Sequence, residues 1–228
     1  MGYIIVITGT DGSGKQTQTE KLYDRLRSEG YNIIKQDFPN YNSPSCSPVK
    51  MYLSGEFGES DLSLDAYQAS SLFSIDRLCT YNKGLRAFYE NGGIIIFDRY
   101  VESNMLHQAG KISDISERDE FLDWLDDFEF EKLKLPRADK IIFLDVPVDV
   151  SLAMARAREG LKNQSKKDIH ENNAEHMYKA YESGKYVCDK YNWDVINCTT
   201  NQSMRSIDDI AEEIYNKVIV DIKDLRRK

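Results

Sequence analysis

A glycine-rich loop that follows the first apolar run limits the fold of this chain more than any other feature. The run Tyr3–Thr8 has the length of one buried strand, and a helix-like segment follows the loop. The spacing is G-x-x-x-x-G-K, the Walker A pattern, in the strand–loop–helix context that this motif requires. Backbone N–H groups of such a loop surround phosphate oxygens, so the loop predicts a nucleotide site. Its residues are Gly9, Thr10, Asp11, Gly12, Ser13, Gly14, Lys15, Gln16 and Thr17.

Apolar runs of strand length recur along the chain, with helical segments between them. Continuous rather than alternating hydrophobicity indicates strands that are buried on both faces, as in a parallel sheet. The predicted strands are Tyr3–Thr8, Asn32–Phe38, Ile94–Asp98, Lys140–Asp145 and Trp193–Asn197. This alternation predicts one α/β domain over residues 1–228, with helices on both faces of a five-stranded parallel sheet. Together with the loop, it predicts the three-layer P-loop NTPase fold.

Capping signals predict where two of the helices begin. Ser116 and Asp119 have the spacing of a capping box ahead of an apolar helix face, and Pro136 is expected to stop that helix. Ser206 and Asp209 repeat the spacing ahead of the last helix. Both serines are therefore predicted N-caps.

Composition excludes several classes of protein. The chain has 30 Lys and Arg against 38 Asp and Glu, and the net charge of −8 argues against binding of nucleic-acid polymers. The cysteines lack CxxC spacing and the three histidines lack zinc spacing, so we interpret the histidines as solvated or capping side chains. The N-terminal apolar run is too short for a signal peptide or a membrane span. These features favour a cytoplasmic protein with reduced thiols and no membrane partner.

Polar side chains at the ends of the predicted strands indicate where a ligand would bind. Ligands of α/β sheets lie outside the carboxyl ends of the strands, where Asp98 and Arg99 follow the third apolar run. Asp98 is the candidate Mg²⁺ ligand. A Walker A motif usually continues with Ser or Thr for this ion, whereas Gln16 offers an amide oxygen instead. Asp145 precedes Pro147 at a helix start and is interpreted as a helix cap.

Motifs along almost the whole chain resemble those of the thymidylate (dTMP) kinase family. The glycine-rich loop continues into Thr17-Gln18, and Phe38-Pro39 ends the second apolar run. The other matching pieces are Leu72-Phe73-x-x-Asp76-Arg77, Asp98-Arg99-Tyr100-x-x-Ser103-Asn104, His107-Gln108 and the pair Arg156 and Arg158. They occur in family order and spacing, so together they are far more specific than any one of them.

The resemblance implies a role for each matched position. The residues expected to bind dTMP are Asp11, Phe38, Pro39, Phe73, Arg77, Arg99, Ser103, Asn104, His107 and Gln108. Phe73 would stack on the thymine, while Arg77 and Asn104 would bind its edge. Arg99 would hold the acceptor phosphate with its bidentate guanidinium. His107 stands where many relatives carry tyrosine, near the 2′ carbon of the sugar. The implied catalytic residues are Lys15, Asp11, Arg99, Arg156 and Arg158.

The resemblance also implies a lid over residues 156–172 and a homodimer. Some relatives carry a catalytic arginine inside the loop, where this chain has Gly12. Arg156 or Arg158 of the lid is therefore the candidate for that role. Asn40 stands where relatives often have arginine, so one phosphate contact of the family is expected to be missing.

The residues themselves leave structural alternatives open. Phe73 could be a core side chain and Arg77 a solvated charge, while Ser103 and Asn104 could cap a helix. The resemblance predicts transfer of the γ-phosphoryl group of MgATP to dTMP, giving dTDP and ADP. The alternatives are a kinase of another pyrimidine nucleotide or nucleoside, such as dUMP, and a non-catalytic nucleotide-binding P-loop protein.

Overall fold

The five predicted strands are present, and they form one parallel sheet. The computed structural model describes residues 1–58, 60, 62–159, 174–201, 203–223 and 225, without the side chains of residues 155–159. The strands are β1 Tyr3–Thr8, β2 Ile33–Asp37, β3 Ile94–Asp98, β4 Lys140–Asp145 and β5 Asp194–Asn197. Their order is β2-β3-β1-β4-β5, so β1 and its glycine-rich loop lie at the centre. The predicted sheet is confirmed, with strand ends within one residue of those expected.

Helices connect the strands and cover the sheet. They are α1 Lys15–Ser28, α2 Ser47–Leu53, α3 Ala66–Thr80, α4 Arg86–Glu90, α5 Glu102–His107, α6 Ile115–Asp126, α7 Val148–Glu159, α8 Ala174–Tyr191 and α9 Ile207–Ile222. Two π-helical turns, Tyr81–Leu85 and Asp127–Lys132, continue α3 and α6. Short 3₁₀ turns occur at Pro44–Cys46 and Ala109–Lys111. None of the described helices is long and apolar enough to cross a membrane.

Successive side chains of β1 enter two different cores. Ile4 and Val6 pack with apolar residues of α5, α6 and α8 on one face of the sheet. Ile5 and Ile7 pack with residues of α1 and α9 on the other face. All four side chains are fully buried. This double burial explains the continuous apolar runs and confirms the three-layer arrangement.

The N-caps of two helices differ in how well the sequence predicted them. Ser206 caps α9 as expected, because its Oγ accepts a hydrogen bond of 3.0 Å from the N–H of Asp209. The cap of α6 is Asp114, which accepts from the N–H of Glu117 at 3.0 Å. The prediction of Ser116 is therefore wrong by two residues, since Asp114 offers a stronger acceptor at the same spacing.

Asp145 links two elements instead of capping a helix. One carboxylate oxygen accepts from the hydroxyl of Tyr181 at 2.8 Å and the other from Nζ of Lys185 at 2.9 Å. Both partners belong to α8, so the side chain ties the end of β4 to that helix, and the cap interpretation is wrong. The structure also adds a small antiparallel pair that was not predicted, β6 Thr199–Thr200 and β7 Ser203–Met204.

Gly184 permits the close packing of α8 against the sheet. A Cβ at this position would lie 2.9 Å from Cε2 of Phe143 and 3.2 Å from Cγ of Leu106. Gly84, in the π-helical turn after α3, is a matched control because a Cβ there would meet nothing within 4 Å. Alanine substitutions at the two positions therefore distinguish the effect of packing from the effect of helix propensity.

We expect Gly184→Ala to lower the free energy of unfolding by about 1–3 kcal/mol, because the methyl group overpacks the core. Gly84→Ala should raise it by about 0.5–1 kcal/mol, since alanine loses less conformational entropy. Urea unfolding curves measure both differences. Equal stability of Gly184→Ala and the wild type would contradict the packing argument.

Glu102 is a buried carboxyl group on α5. Its side chain is 2% exposed, and one carboxylate oxygen lacks a hydrogen-bond partner among the described residues. Burial raises the pKa of Glu102 to about 7, although its hydrogen bond to the backbone and the charge of Arg77 oppose the rise. The folded protein therefore binds a proton at this site that the unfolded chain releases at lower pH.

This difference makes stability depend on pH between the unfolded pKa of 4.5 and about 7. In that window the folded state holds more protons, so its stability falls as the pH rises. We expect Glu102→Gln to match the wild type near pH 4.5 and to be more stable by about 3 kcal/mol at pH 8. Urea unfolding at the two pH values tests this, and a variant that is less stable at pH 8 would contradict it.

Candidate active site

The glycine-rich loop closes around Lys15. Gly12 has a φ of +79°, and a Cβ there would lie 2.8 Å from the carbonyl oxygen of Ser151, so only glycine fits. Gly14, with a φ of +86°, is the N-cap of α1. Lys15 is buried, and its Nζ donates to the carbonyl oxygen of Thr10 at 2.6 Å. The loop therefore holds its lysine beside the start of a helix, where anions are favoured.

Two hydroxyl groups of this loop have unused hydrogen-bonding capacity. Thr10 and Ser13 are each 1% exposed, and within the described residues their side-chain oxygens have no hydrogen-bond partner. Buried hydroxyl groups are usually hydrogen-bonded in folded proteins. Their position between β1 and α1 fits a loop that receives a polar, phosphate-bearing ligand.

Two carboxylates lie side by side at the carboxyl edge of the sheet. Asp37 and Asp98 end neighbouring strands and are paired in register. Burial raises the pKa of Asp37, and the negative charge of Asp98 raises it further. A cation beside this pair would relieve their repulsion. Gln16, the other predicted metal ligand, is exposed on the first turn of α1.

The fit of these groups to Mg²⁺ depends on oxygen atoms from outside the protein. No group of three His, Cys, Asp or Glu side chains in the described part of the chain could hold a metal ion. Carboxylate and amide oxygens are nevertheless ligands that Mg²⁺ accepts, and this ion usually keeps several waters and substrate phosphates. Asp98 and Gln16 therefore suit an ion that arrives with a nucleotide.

A cavity of about 200 Å³ is lined by every residue predicted to bind the acceptor nucleotide. These are Asp11, Phe38, Pro39, Phe73, Arg77, Arg99, Ser103, Asn104, His107 and Gln108. The lining also includes Tyr41, Leu53 and Tyr100, none of which was predicted to bind the nucleotide, although Tyr100 belongs to a matching motif. The residues come from α3, α5 and the segments after β1, β2 and β3, so the parallel sheet brings distant motifs to one place.

Arg99 lies at the junction between this cavity and the glycine-rich loop. Its backbone has a φ of +67°, and its N–H donates to the carbonyl oxygen of Ile7 at 3.2 Å. The guanidinium group forms an ion pair with Asp11, and its Nη1 lies 3.2 Å from Nε2 of His107. Burial acts to lower the pKa of Arg99, but the charges of Asp11 and Asp98 and the hydrogen bond to Asp11 together outweigh it, and the pKa is raised. Arg99 is thus a fixed positive charge.

Arg77 is fully buried and forms an ion pair with Glu129, so the interpretation of Arg77 as a solvated charge is wrong. Glu129 lies in the π-helical turn after α6 and also accepts from Oγ of Ser74 at 2.5 Å. On its other side, Nη1 of Arg77 lies 3.5 Å from Oδ1 of Asn104. Asn104 lies inside α5, which excludes a capping role for it. Glu129 could not be recognised from the sequence, because 52 residues separate it from Arg77.

Asp76 holds the loop that carries Phe38 and Pro39, which are joined by a cis peptide bond. One oxygen of Asp76 accepts from the backbone N–H of Asn40 at 2.7 Å, and the other accepts from Oγ of Ser45 at 2.7 Å. The side chain is 1% exposed. Asp76 therefore fixes one wall of the cavity from behind, although it does not line the cavity itself.

The predicted lid lies largely outside the described residues. Arg156 and Arg158 fall in the last turns of α7, but their side chains are not among those described. Residues 160–172 of the proposed lid also lie outside the description. The choice between the two arginines therefore stays a prediction.

The interpretation of His107 and His176 as solvated or capping side chains is wrong. Both side chains are buried, at 9% and 2% exposed, and a ring nitrogen of each lies 3.2 Å from one of the other. His107 lines the cavity, whereas His176 lies on α8 behind it. The spacing of the two residues along the chain gave no sign of this contact.

Comparison with known proteins identifies the family. The model of the family described as thymidylate kinase matches residues 7–190. The chain belongs to the thymidylate kinase family. This match contains the whole glycine-rich loop, every residue that lines the cavity, and the segment predicted to form the lid.

Curated relatives agree with that assignment. A thymidylate kinase from Mycobacterium tuberculosis is 30% identical over 175 residues, which are 75% of this chain and 79% of the relative. A probable thymidylate kinase from Pyrococcus horikoshii is 31% identical over 158 residues, or 69% and 71% of the two chains. One from Thermococcus gammatolerans is 30% identical over 160 residues, or 69% and 72%. The resemblance found in the motifs is therefore confirmed at the level of the family.

The buried pair of Arg77 and Glu129 gives a stability prediction. Glu129→Ala leaves the buried guanidinium without its counter-charge, and we expect a loss of about 3–5 kcal/mol in the free energy of unfolding. Asp127 is a matched control in the same π-helical turn, because its ion pair with Lys132 is exposed. Asp127→Ala should cost about 0–1 kcal/mol. Urea unfolding compares the two variants, and equal losses would contradict the assigned role of Glu129.

Proposed function

We propose that this protein transfers the γ-phosphoryl group of ATP to dTMP, which gives dTDP and ADP. One observation carries the proposal: a single cavity beside a Walker A loop is lined by all ten residues that the family resemblance assigns to dTMP. Membership of the thymidylate kinase family supports the same acceptor. The proposal extends to the roles that the family resemblance implies for individual residues, and their contacts support these roles.

At one end of the cavity, Arg77 and Asn104 are the proposed ligands of the thymine edge. Both are buried, and Glu129 and the helix α5 hold them in place. Buried polar groups of this kind discriminate strongly, since a base that fails to pair with them leaves them unsatisfied. Phe73 is half-buried, and its ring centroid lies 6.2 Å from that of Tyr52 in an edge-on arrangement. Its ring supplies a face on which a base can stack.

At the other end, Arg99 is the proposed ligand of the acceptor phosphate. Its ion pair with Asp11 connects this end to the Walker A loop, where Lys15 would bind the phosphates of ATP. The attacking phosphate oxygen of dTMP is already ionised, so the reaction needs no strong general base. Positioning and charge neutralisation by Lys15 and Arg99 then provide most of the rate enhancement.

Asp98 and Gln16 are the proposed protein ligands of Mg²⁺. When bound, the ion would neutralise charge that develops on the transferring phosphoryl group. Arg156 or Arg158 is the proposed lid arginine, which would also neutralise charge on the transferring phosphoryl group. Asp98 and Gln16 would supply oxygen ligands and the lid arginine would supply positive charge. None of them would form a covalent intermediate.

A homodimer and a cytoplasmic location are part of the same proposal. Tyr67 and Ile75 expose 38% and 42% of their surface on α3, which offers apolar area for a second copy of the chain.

All of the cysteines are free thiols, which suits a reducing compartment. They are Cys46, Cys79, Cys188 and Cys198.

A non-catalytic nucleotide-binding protein is the second candidate function. The observation that favours it is the exposed Gln16 at the position where Walker A proteins place a metal-binding hydroxyl. A protein that only binds ATP has no use for Arg99 and Asp11 facing a separate cavity. We therefore favour the kinase.

An ADP-release assay with dTMP, dUMP, UMP and thymidine as acceptors tests the proposal. We expect dTMP to give the highest kcat/KM of the four. Preference for dUMP or thymidine would overturn the proposed acceptor. Tight ATP binding without ADP release on any acceptor would instead support the non-catalytic alternative.

Substitution of the loop lysine tests the chemistry directly. We expect Lys15→Ala to lower kcat by about 10²–10³-fold, because it removes a charge that stabilises the transition state. Lys21→Ala is a matched control on the same helix, since Lys21 is 43% exposed and pairs with Asp208 at the surface. The control should keep wild-type turnover. Equal kcat values for the two variants would contradict the role of Lys15.

A further inference from the structure

Two buried histidines from different helices lie side by side behind Arg99, with their rings nearly parallel. The ring centroids of His107 and His176 are 5.4 Å apart, and the ring planes are inclined by 15°. Nδ1 of His107 lies 3.2 Å from Nε2 of His176, which is hydrogen-bonding distance. His107 lies on α5 and His176 on α8, so the contact crosses between two elements that pack together.

The pair continues into the proposed phosphate site. Nε2 of His107 lies 3.2 Å from Nη1 of Arg99, while Nη2 of the same guanidinium donates to Oδ1 of Asp11. His176 therefore reaches Arg99 through one intervening ring. The Arg99 side chain keeps 20% of its surface exposed, which is enough to meet a ligand.

The chemistry of Arg99, His107 and His176 determines which ring nitrogens carry protons. A guanidinium group only donates hydrogen bonds, so Nε2 of His107 has to accept from Arg99. The proton of a neutral His107 then lies on Nδ1 and is donated to Nε2 of His176. His176 in turn has to carry its own proton on Nδ1. Only this pair of tautomers satisfies both contacts.

We propose that His176 is a positioning residue that acts on Arg99 through His107. It accepts the Nδ1 proton of His107 and so keeps the lone pair of Nε2 directed at the guanidinium. Asp11 and His107 then hold Arg99 from two sides and fix the plane that it presents to the acceptor phosphate. This inference rests on the proposed function, because that function assigns the acceptor phosphate to Arg99.

The value of such positioning follows from the geometry of phosphate binding. A guanidinium group binds phosphate through two parallel N–H donors, so a rotation of its plane breaks one of the two bonds. A small misplacement of a binding group can lower turnover by a large factor. Without an acceptor at position 176, the other tautomer of His107 would direct an N–H at Arg99 and displace it.

Two variants separate positioning from simple packing. His176→Gln keeps a side-chain oxygen that can accept from Nδ1 of His107, whereas His176→Phe keeps an aromatic ring but no acceptor. We expect His176→Phe to raise KM for dTMP about tenfold, the size of one unsatisfied buried hydrogen bond, and to leave KM for ATP within about twofold. His176→Gln should restore KM for dTMP to within about threefold of wild type. Tyr178→Phe, on the exposed face of α8, is the control for substitution in this helix.

Nitrogen-15 NMR of the wild type tests the tautomers without any reference to activity. We expect the protonated nitrogen of His107 to be Nδ1 and its unprotonated nitrogen to be Nε2. The opposite assignment, or a doubly protonated His107 at neutral pH, would overturn the inference even if one of the variants does not fold.

The outcomes distinguish this inference from the proposed function. A wild-type protein that fails to phosphorylate dTMP would overturn the proposed function, and with it the link to Arg99. Turnover of dTMP with an unchanged KM in His176→Phe would overturn the positioning role alone. A parallel rise of KM for both substrates together with a lower melting temperature would show that His176 only supports packing.

Discussion

The parallel pairing of β1 with β3 is the contact on which the rest of the site depends. It places Ile7 opposite Asp98, so the two strands end together and their following loops leave the sheet at the same edge. The N–H of Arg99 donates to the carbonyl oxygen of Ile7 and continues this pairing by one residue beyond β3. The left-handed backbone of Arg99 then turns its side chain toward Asp11. A shift in register would separate the phosphate loop from the proposed acceptor site.

Positively charged side chains lie at the proposed phosphate sites, although the chain as a whole is acidic. The net charge is −8, yet the proposed ligands are polyanions. Lys15 and Arg99 are the cations proposed to face the phosphates, and each has a polar partner within the protein. Partnered cations can stay charged in a buried site and are positioned before a ligand arrives. The net charge of the whole chain is therefore a poor guide to the charges inside the cleft.

Local patterns predicted the strands because burial on both faces leaves a continuous apolar run, whereas the residues that line the cavity were expected only from the family resemblance. The apolar runs mark the strands, and motifs such as Asp98-Arg99 keep their residues within a few positions of each other. Glu129 and His176 could not be predicted in this way, since 52 and 69 residues separate them from Arg77 and His107. Their roles arise from the packing of α6 and α8, which no periodicity in the sequence encodes. The wrong cap at Ser116 has a local cause. Ser116 and Asp114 both precede an acidic residue by three positions, and Asp114 is the residue that caps the helix.

The two proposed ends of the cavity are held by different layers of side chains. Arg77 is held by Glu129 after α6, while Arg99 is held by Asp11 and by His107, which α8 supports through His176. Asn104 and His107 share α5, so that short helix connects the two ends. Groups without shared partners contribute nearly additively to binding. Recognition of the base and orientation of the phosphate can therefore change independently, unless α5 itself moves.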